Sequence, residues 1–91
     1  MEQVARHIIF TGNVQGIGFR FTALDAASRY KLTGFVRNLR DGSVEMLAQG
    51  SSADIESCLL EIKKTIGSYI AETKVENVAP NPQLRDFRIT F

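Results

Sequence analysis

The stretch Gly-Asn-Val-Gln-Gly-Ile-Gly-Phe-Arg, residues 12–20, concentrates the chemistry this chain has to offer. Three glycines (Gly12, Gly16, Gly18) lie between a short apolar run, Ile8–Phe10, and a helix-like segment that begins near Phe21. A backbone so free of side chains can approach a small ligand closely. Inward-turned N–H groups, a helix N-terminus and a permanently charged guanidinium together make a receptor for a compact oxyanion, most naturally phosphate. Taken by itself, the same stretch is equally well a glycine-rich strand-to-helix turn with an exposed arginine. Asn38 is a second candidate, either a carboxamide that orients a water molecule or a simple turn-former.

The elements around these residues follow from periodicity and punctuation. Val4–Thr11 alternates as a strand, with Ile8 and Phe10 on one side and His7 and Ile9 on the other. Phe21–Tyr30 is predicted helical, with a stripe of Phe21, Leu24 and Ala27/Ser28 beside Ala23, Ala26 and Tyr30. Leu32–Leu39 returns to strand character. Asp41-Gly42 then separates it from Val44–Gln49, the pattern of a tight hairpin. Ser51 or Ser52 caps a second helix with Ile55, Leu59, Ile62 and Ile66 on one face and Gly67 as its stop. A strand near Val75–Val78, the breaker Pro80-Asn81-Pro82 and a terminal strand Phe87–Phe91 complete the order.

Strand, helix, strand, strand, helix, strand predicts an α+β fold, a ferredoxin-like split βαβ sandwich. Its sheet is mostly antiparallel with four to five strands, and both helices cover one face. The hairpin partner then inserts between the first two strands, which run parallel. Their carboxyl ends emerge at one sheet edge, so the Gly12–Arg20 loop and Asn38 stand side by side, separated by about 10 Å, twice the interstrand spacing.

Bulk composition narrows the function classes. Residues 1–91 suit one domain, and 44% hydrophobic content supplies a modest core. No stretch approaches the ~20 apolar residues of a membrane span, and Met1-Glu2-Gln3 lacks the features of a secretory signal, so a cytoplasmic location is expected. The lone cysteine, Cys58, fits a reducing compartment and reads as core packing. Eleven Lys+Arg against ten Asp+Glu give a net charge of +1, without the basic field of a nucleic-acid binder.

Val14-Gln15-Gly16-Ile17-Gly18-Phe19-Arg20, followed by Leu32–Asn38 (Leu-Thr-Gly-Phe-Val-Arg-Asn) and Asp41–Glu45 (Asp-Gly-Ser-Val-Glu), closely resembles the acylphosphatase family. The likeness runs the length of the chain and is densest from Gly12 to Glu45. It implies a small enzyme that hydrolyses carboxyl-phosphate bonds without metal or cofactor. By the same resemblance Gln15, Gly16, Ile17, Gly18, Phe19 and Arg20 form the phosphate cradle, Arg20 binds phosphate, and Asn38 positions the attacking water. Phe35 stands where the family often has tryptophan, and Lys31 where a glycine often ends the first helix. If Lys31 is left-handed, it costs roughly 1 kcal/mol of stability.

Those two residues suffice for the implied reaction. A carboxylate leaves as an anion near neutral pH, so no general acid is required. Phosphoryl transfer passes through a loose transition state that needs mainly positioning and charge stabilisation. Asn38 cannot act as a base, which leaves the substrate phosphate as the proton acceptor. Expected partners are a small acyl phosphate and inorganic phosphate as product and competitive inhibitor, with no nucleic acid, no membrane and a monomeric chain. The competing reading is a non-catalytic module that binds acyl or carbamoyl phosphate as a signal. A ferredoxin-like RNA binder is disfavoured, because Val44–Leu47 carries neither aromatics nor positive charge. His7 in mid-strand is read as a sheet-face or partly buried residue, Asp41 as a turn residue, and Arg37 and Arg40 as solvated strand-end charges.

Overall fold

The computed structural model describes residues 2–91. The chain runs β1 (Val4–Gly12), α1 (Phe19–Arg29), β2 (Thr33–Asn38), β3 (Val44–Gly50), α2 (Ser52–Ile66), a 3₁₀ turn (Gly67–Tyr69), β4 (Ile70–Val78) and β5 (Phe87–Ile89). The strands form one sheet in the order β4-β1-β3-β2-β5. β3 is antiparallel to both β1 and β2, which are therefore parallel to each other, and β5 joins the edge parallel to β2. This is the ferredoxin-like sandwich expected from the element order, with the additional fifth strand present.

Alternation explains the strands. Ile8 and Phe10 of β1, Val36 of β2 and Val44, Met46 and Ala48 of β3 are fully buried beneath the helices. The intervening His7, Arg37 and Glu45 occupy the opposite face. α2 seals the layer with Ile55, Cys58 and Ile62, and α1 with Ala23, Ala26 and Ala27. Each buried Ile, Phe or Met side chain contributes roughly 1.5–3 kcal/mol. The helix caps follow the chemistry of their residues. Ser51 accepts a 3.1 Å hydrogen bond from the Asp54 amide at the start of α2. At the other end, α2 stops at Gly67 as expected, the glycine keeping a right-handed conformation (φ −61°) as the chain tightens into the 3₁₀ turn.

Several boundaries differ from those the sequence suggests. α1 begins at Phe19, two residues early, because the Phe19 ring packs against Phe10 with centroids 4.8 Å apart. Phe21, placed by periodicity on the core stripe, is 70% exposed. β4 starts at Ile70, not near Val75; its register against β1 extends past Thr11 through an irregularity at Gly12. After β4 the chain crosses to the far edge of the sheet. Gln49, on the face away from the helices, fastens that crossing: its Nε2 donates to Asn81 O (2.9 Å) and its Oε1 accepts from Asn81 N (2.7 Å).

Candidate active site

Sheet register brings the two proposed functional residues to one place. Phe10 pairs with Val44, and Val44 pairs with Asn38, so the three form one row across β1, β3 and β2. Paired residues share a face, and Phe10 and Val44 are buried under the helices, so Asn38 projects to the helix side. Arg37, one residue earlier, projects to the other.

The loop from Asn13 to Gly18 is anchored at three points. The Asn13 amide donates to Tyr69 O (3.0 Å), Val14 is fully buried, and Gln15 Nε2 donates to Leu39 O (2.8 Å) and Ser43 O (2.9 Å). Gln15 thereby ties the loop to the hairpin that follows Asn38. Gly16 (φ 81°) and Gly18 (φ 79°) are left-handed. A Cβ built on either meets nothing within 4 Å, so backbone conformation and not space demands glycine here.

Gly18 is also the N-cap of α1 and offers no side-chain cap. The first intrahelical bond runs from Thr22 N to Gly18 O (3.0 Å), which leaves the amides of Phe19, Arg20 and Phe21 without partners in the helix. Beside them lies a cavity of about 150 Å³ lined by Val14, Gly16, Gly18, Phe19, Arg20, Phe21 and Asn38. It contains no carboxylate, histidine or cysteine. Larger depressions exist elsewhere, such as one of about 490 Å³ between Lys63, Gly67 and Ile70–Thr73, which is lined by neither an arginine nor an α-helix start.

Charge distribution separates Arg20 from most other arginines. Arg6, Arg29, Arg37 and Arg88 each face a carboxylate. Among the described residues no hydrogen bond or ion pair engages the Arg20 side chain; the Phe91 ring lies beside it, its centre 5.4 Å from the guanidinium carbon. The Asn38 carboxamide is equally uncommitted among the described residues. A helix N-terminus, a free guanidinium and a free carboxamide around one cavity can receive an anion and a water.

Of the residues named from sequence, Gly16, Gly18, Phe19, Arg20 and Asn38 line this cavity. Gln15 and Ile17 do not; Gln15 braces the loop, and Ile17 packs against the core. Phe21 and Phe91 escaped the sequence reading, Phe21 because helical spacing assigned it to the core. Arg37 is also not a merely solvated charge. Its Nε donates to Glu45 Oε1 (2.5 Å), while His7 Nε2 lies 2.7 Å from Glu45 Oε2. Burial pushes the Glu45 carboxyl up, but the hydrogen bonds from His7 and Arg37 and their charges outweigh it and hold the group below its ordinary value. Asp41 accepts from the Ser43 hydroxyl and amide, which lowers its pKa and accounts for it as a turn residue. Burial, with the nearby Glu61 charge, pushes the Cys58 thiol up to about 12, as expected of a packing residue.

A family model described as Acylphosphatase matches residues 6–89. The chain belongs to the acylphosphatase family. An acylphosphatase of Chlorobaculum tepidum is 42% identical over 92 residues, which cover 98% of either chain. The crystal structure of an acylphosphatase from Bacillus subtilis is similar with a TM-score of 0.89 and 31% identity, covering 97% of this chain and 99% of that one. Full-length HypF, in a phosphate- and nucleotide-bound form, contains a similar region: TM-score 0.86 and 32% identity over 99% of this chain but 12% of HypF.

Proposed function

We infer that this acylphosphatase family member hydrolyses the carboxyl–phosphate bond of small acyl phosphates, releasing a carboxylate and inorganic phosphate. The observation that carries the reading is the convergence of two uncommitted side chains, Arg20 and Asn38, with the uncapped start of α1 on one cavity. The amides of the Gly16–Arg20 loop and the Arg20 guanidinium take the phosphoryl oxygens. Each charge-assisted hydrogen bond contributes roughly 1.5–3 kcal/mol, and more where it strengthens as charge spreads over those oxygens in the transition state. Asn38 holds a water in line with the phosphorus–carboxylate bond. The water oxygen attacks phosphorus, the bonding pair to the leaving oxygen departs with the carboxylate, and the water's proton passes to a phosphoryl oxygen. No acid is needed at the leaving group, because a carboxylate is stable as an anion.

The enzyme acts as a single unit across residues 1–91, as a monomer in the cytoplasm, with inorganic phosphate as a competitive inhibitor. The placement of nearly all fully buried apolar side chains in the one sheet–helix core supports the monomer. No helix among the described residues is long and apolar enough to cross a membrane. The test is hydrolysis of benzoyl phosphate followed in the ultraviolet, with and without a chelator. Saturable turnover that is blocked by inorganic phosphate is expected; binding of phosphate with no turnover overturns the hydrolase in favour of a phosphate-binding module.

A further inference from the structure

The six phenylalanines range from fully buried to almost fully exposed. Phe10 and Phe19 are buried in the core, whereas Phe21 and Phe91 are the most exposed large apolar side chains among the described residues, at 70% and 94%. Both of these stand at the same place. Phe21 lines the cavity that contains Arg20 and Asn38, and the Phe91 ring lies 5.4 Å from the Arg20 guanidinium carbon. The remaining exposed large apolar residues among those described, on α2, the 3₁₀ turn and β4, do not line this cavity. Apolar surface in water is unfavourable unless something covers it, and two rings at the mouth of an anion site have an evident cover. A phosphoryl group drawn into the cradle leaves the rest of the substrate at the rim.

We propose that Phe21 and Phe91 form the subsite for the acyl group, so that the enzyme prefers acyl phosphates with an aromatic or bulky apolar acyl group over acetyl phosphate. This rests on the hydrolase reading above. The phosphate cradle is blind to what the phosphate is attached to, because every group in it faces the anion. Discrimination has to come from the rim, where Phe21 offers an apolar surface. The Phe91 ring, beside the Arg20 side chain, extends that apolar surface. An aromatic acyl group adds offset or edge-to-face ring contacts, and a methyl group does not reach them.

The experiment compares kcat/KM for benzoyl phosphate and acetyl phosphate in the wild type, Phe21→Ala, Phe91→Ala, Phe91→Leu and the double Phe21→Ala/Phe91→Ala variant, with the inhibition constant of inorganic phosphate measured for each. Because both side chains are exposed, the variants fold, and thermal denaturation checks this. The expected result is a loss of about three- to ten-fold per ring removed, confined to benzoyl phosphate. Acetyl phosphate turnover and phosphate inhibition stay within about two-fold, and Phe91→Leu, which keeps apolar surface, loses less than Phe91→Ala. An equal loss on both substrates overturns the proposal, as does an unchanged substrate ratio in the double variant. A wild type that hydrolyses neither substrate instead refutes the hydrolase reading, so the two failures are distinct.

Discussion

Arg20 and Arg37 sit at the same end of the sheet, in the two motifs that make the sequence distinctive, yet their environments are opposite. Arg37, on the open face of β2, is held by Glu45, which also takes His7, and its guanidinium carbon lies 6.0 Å from the Phe35 ring centre. Every charge in that cluster has a partner. Arg20, under the helix layer at the start of α1, has an aromatic neighbour but no counter-ion among the described residues. A paired charge is already satisfied by the fold and binds further ligand weakly. An unpaired one, beside amides that also lack partners, gains most when an anion arrives. The same residue type thus stabilises on one face and is left free for a ligand on the other.

The sharpest way to break this contrast is to remove each arginine. Arg20→Ala should lower kcat/KM for benzoyl phosphate about 10³-fold and abolish phosphate inhibition, whereas Arg37→Ala stays within about three-fold; steady-state kinetics of the pair decides it. Comparable losses in both variants would erase the distinction. Next in size, Asn38→Ala should reduce kcat about 10²-fold while the inhibition constant of phosphate changes less than about two-fold, because the carboxamide acts on the water and not on the anion.

Smaller effects fall on stability. Lys31 adopts a left-handed conformation (φ 57°) just after α1. Lys31→Gly should therefore stabilise the fold by about 0.5–1 kcal/mol, a few degrees in Tm, with kcat/KM unchanged. The smallest effect tests the paired cluster. The folded-state pKa of Glu45 lies below its ordinary value of 4.5, so its contribution is present above pH 4.5 and is lost as pH falls through the folded value. Denaturation between pH 7 and 3 should show the wild type losing more stability on acidification than Glu45→Gln, with equal activity at neutral pH.

How much of this was legible in the sequence differs between sheet and loops. The element order, with Asp41-Gly42 between apolar runs, places β3 between β1 and β2, and strict alternation in Val4–Thr11 and Val44–Gln49 sets which residues face the core, because a one-residue slip would expose Ile8 and Phe10. That topology already set Asn38 beside the glycine loop. The start of α1 was not legible, since Phe19 and Phe21 are chemically identical and only tertiary packing of Phe19 on Phe10 decides which is buried. Nor was the pairing of Arg37 with Glu45 and His7, which needs three strands in register. The family resemblance gives Gln15 as a cradle residue; its side-chain partners, Leu39 O and Ser43 O, are backbone atoms that no side-chain pattern reveals.

A titration of the ¹⁵N-labelled protein with inorganic phosphate tests the central claim most directly. The amides of Gly16–Arg20 and the Arg20 side-chain Nε–H should shift saturably, with the Asn38 side-chain amide responding alongside, while His7, Arg37 and Glu45 remain still. Saturable shifts centred on Arg37 and Glu45, with Arg20 unmoved, would contradict it.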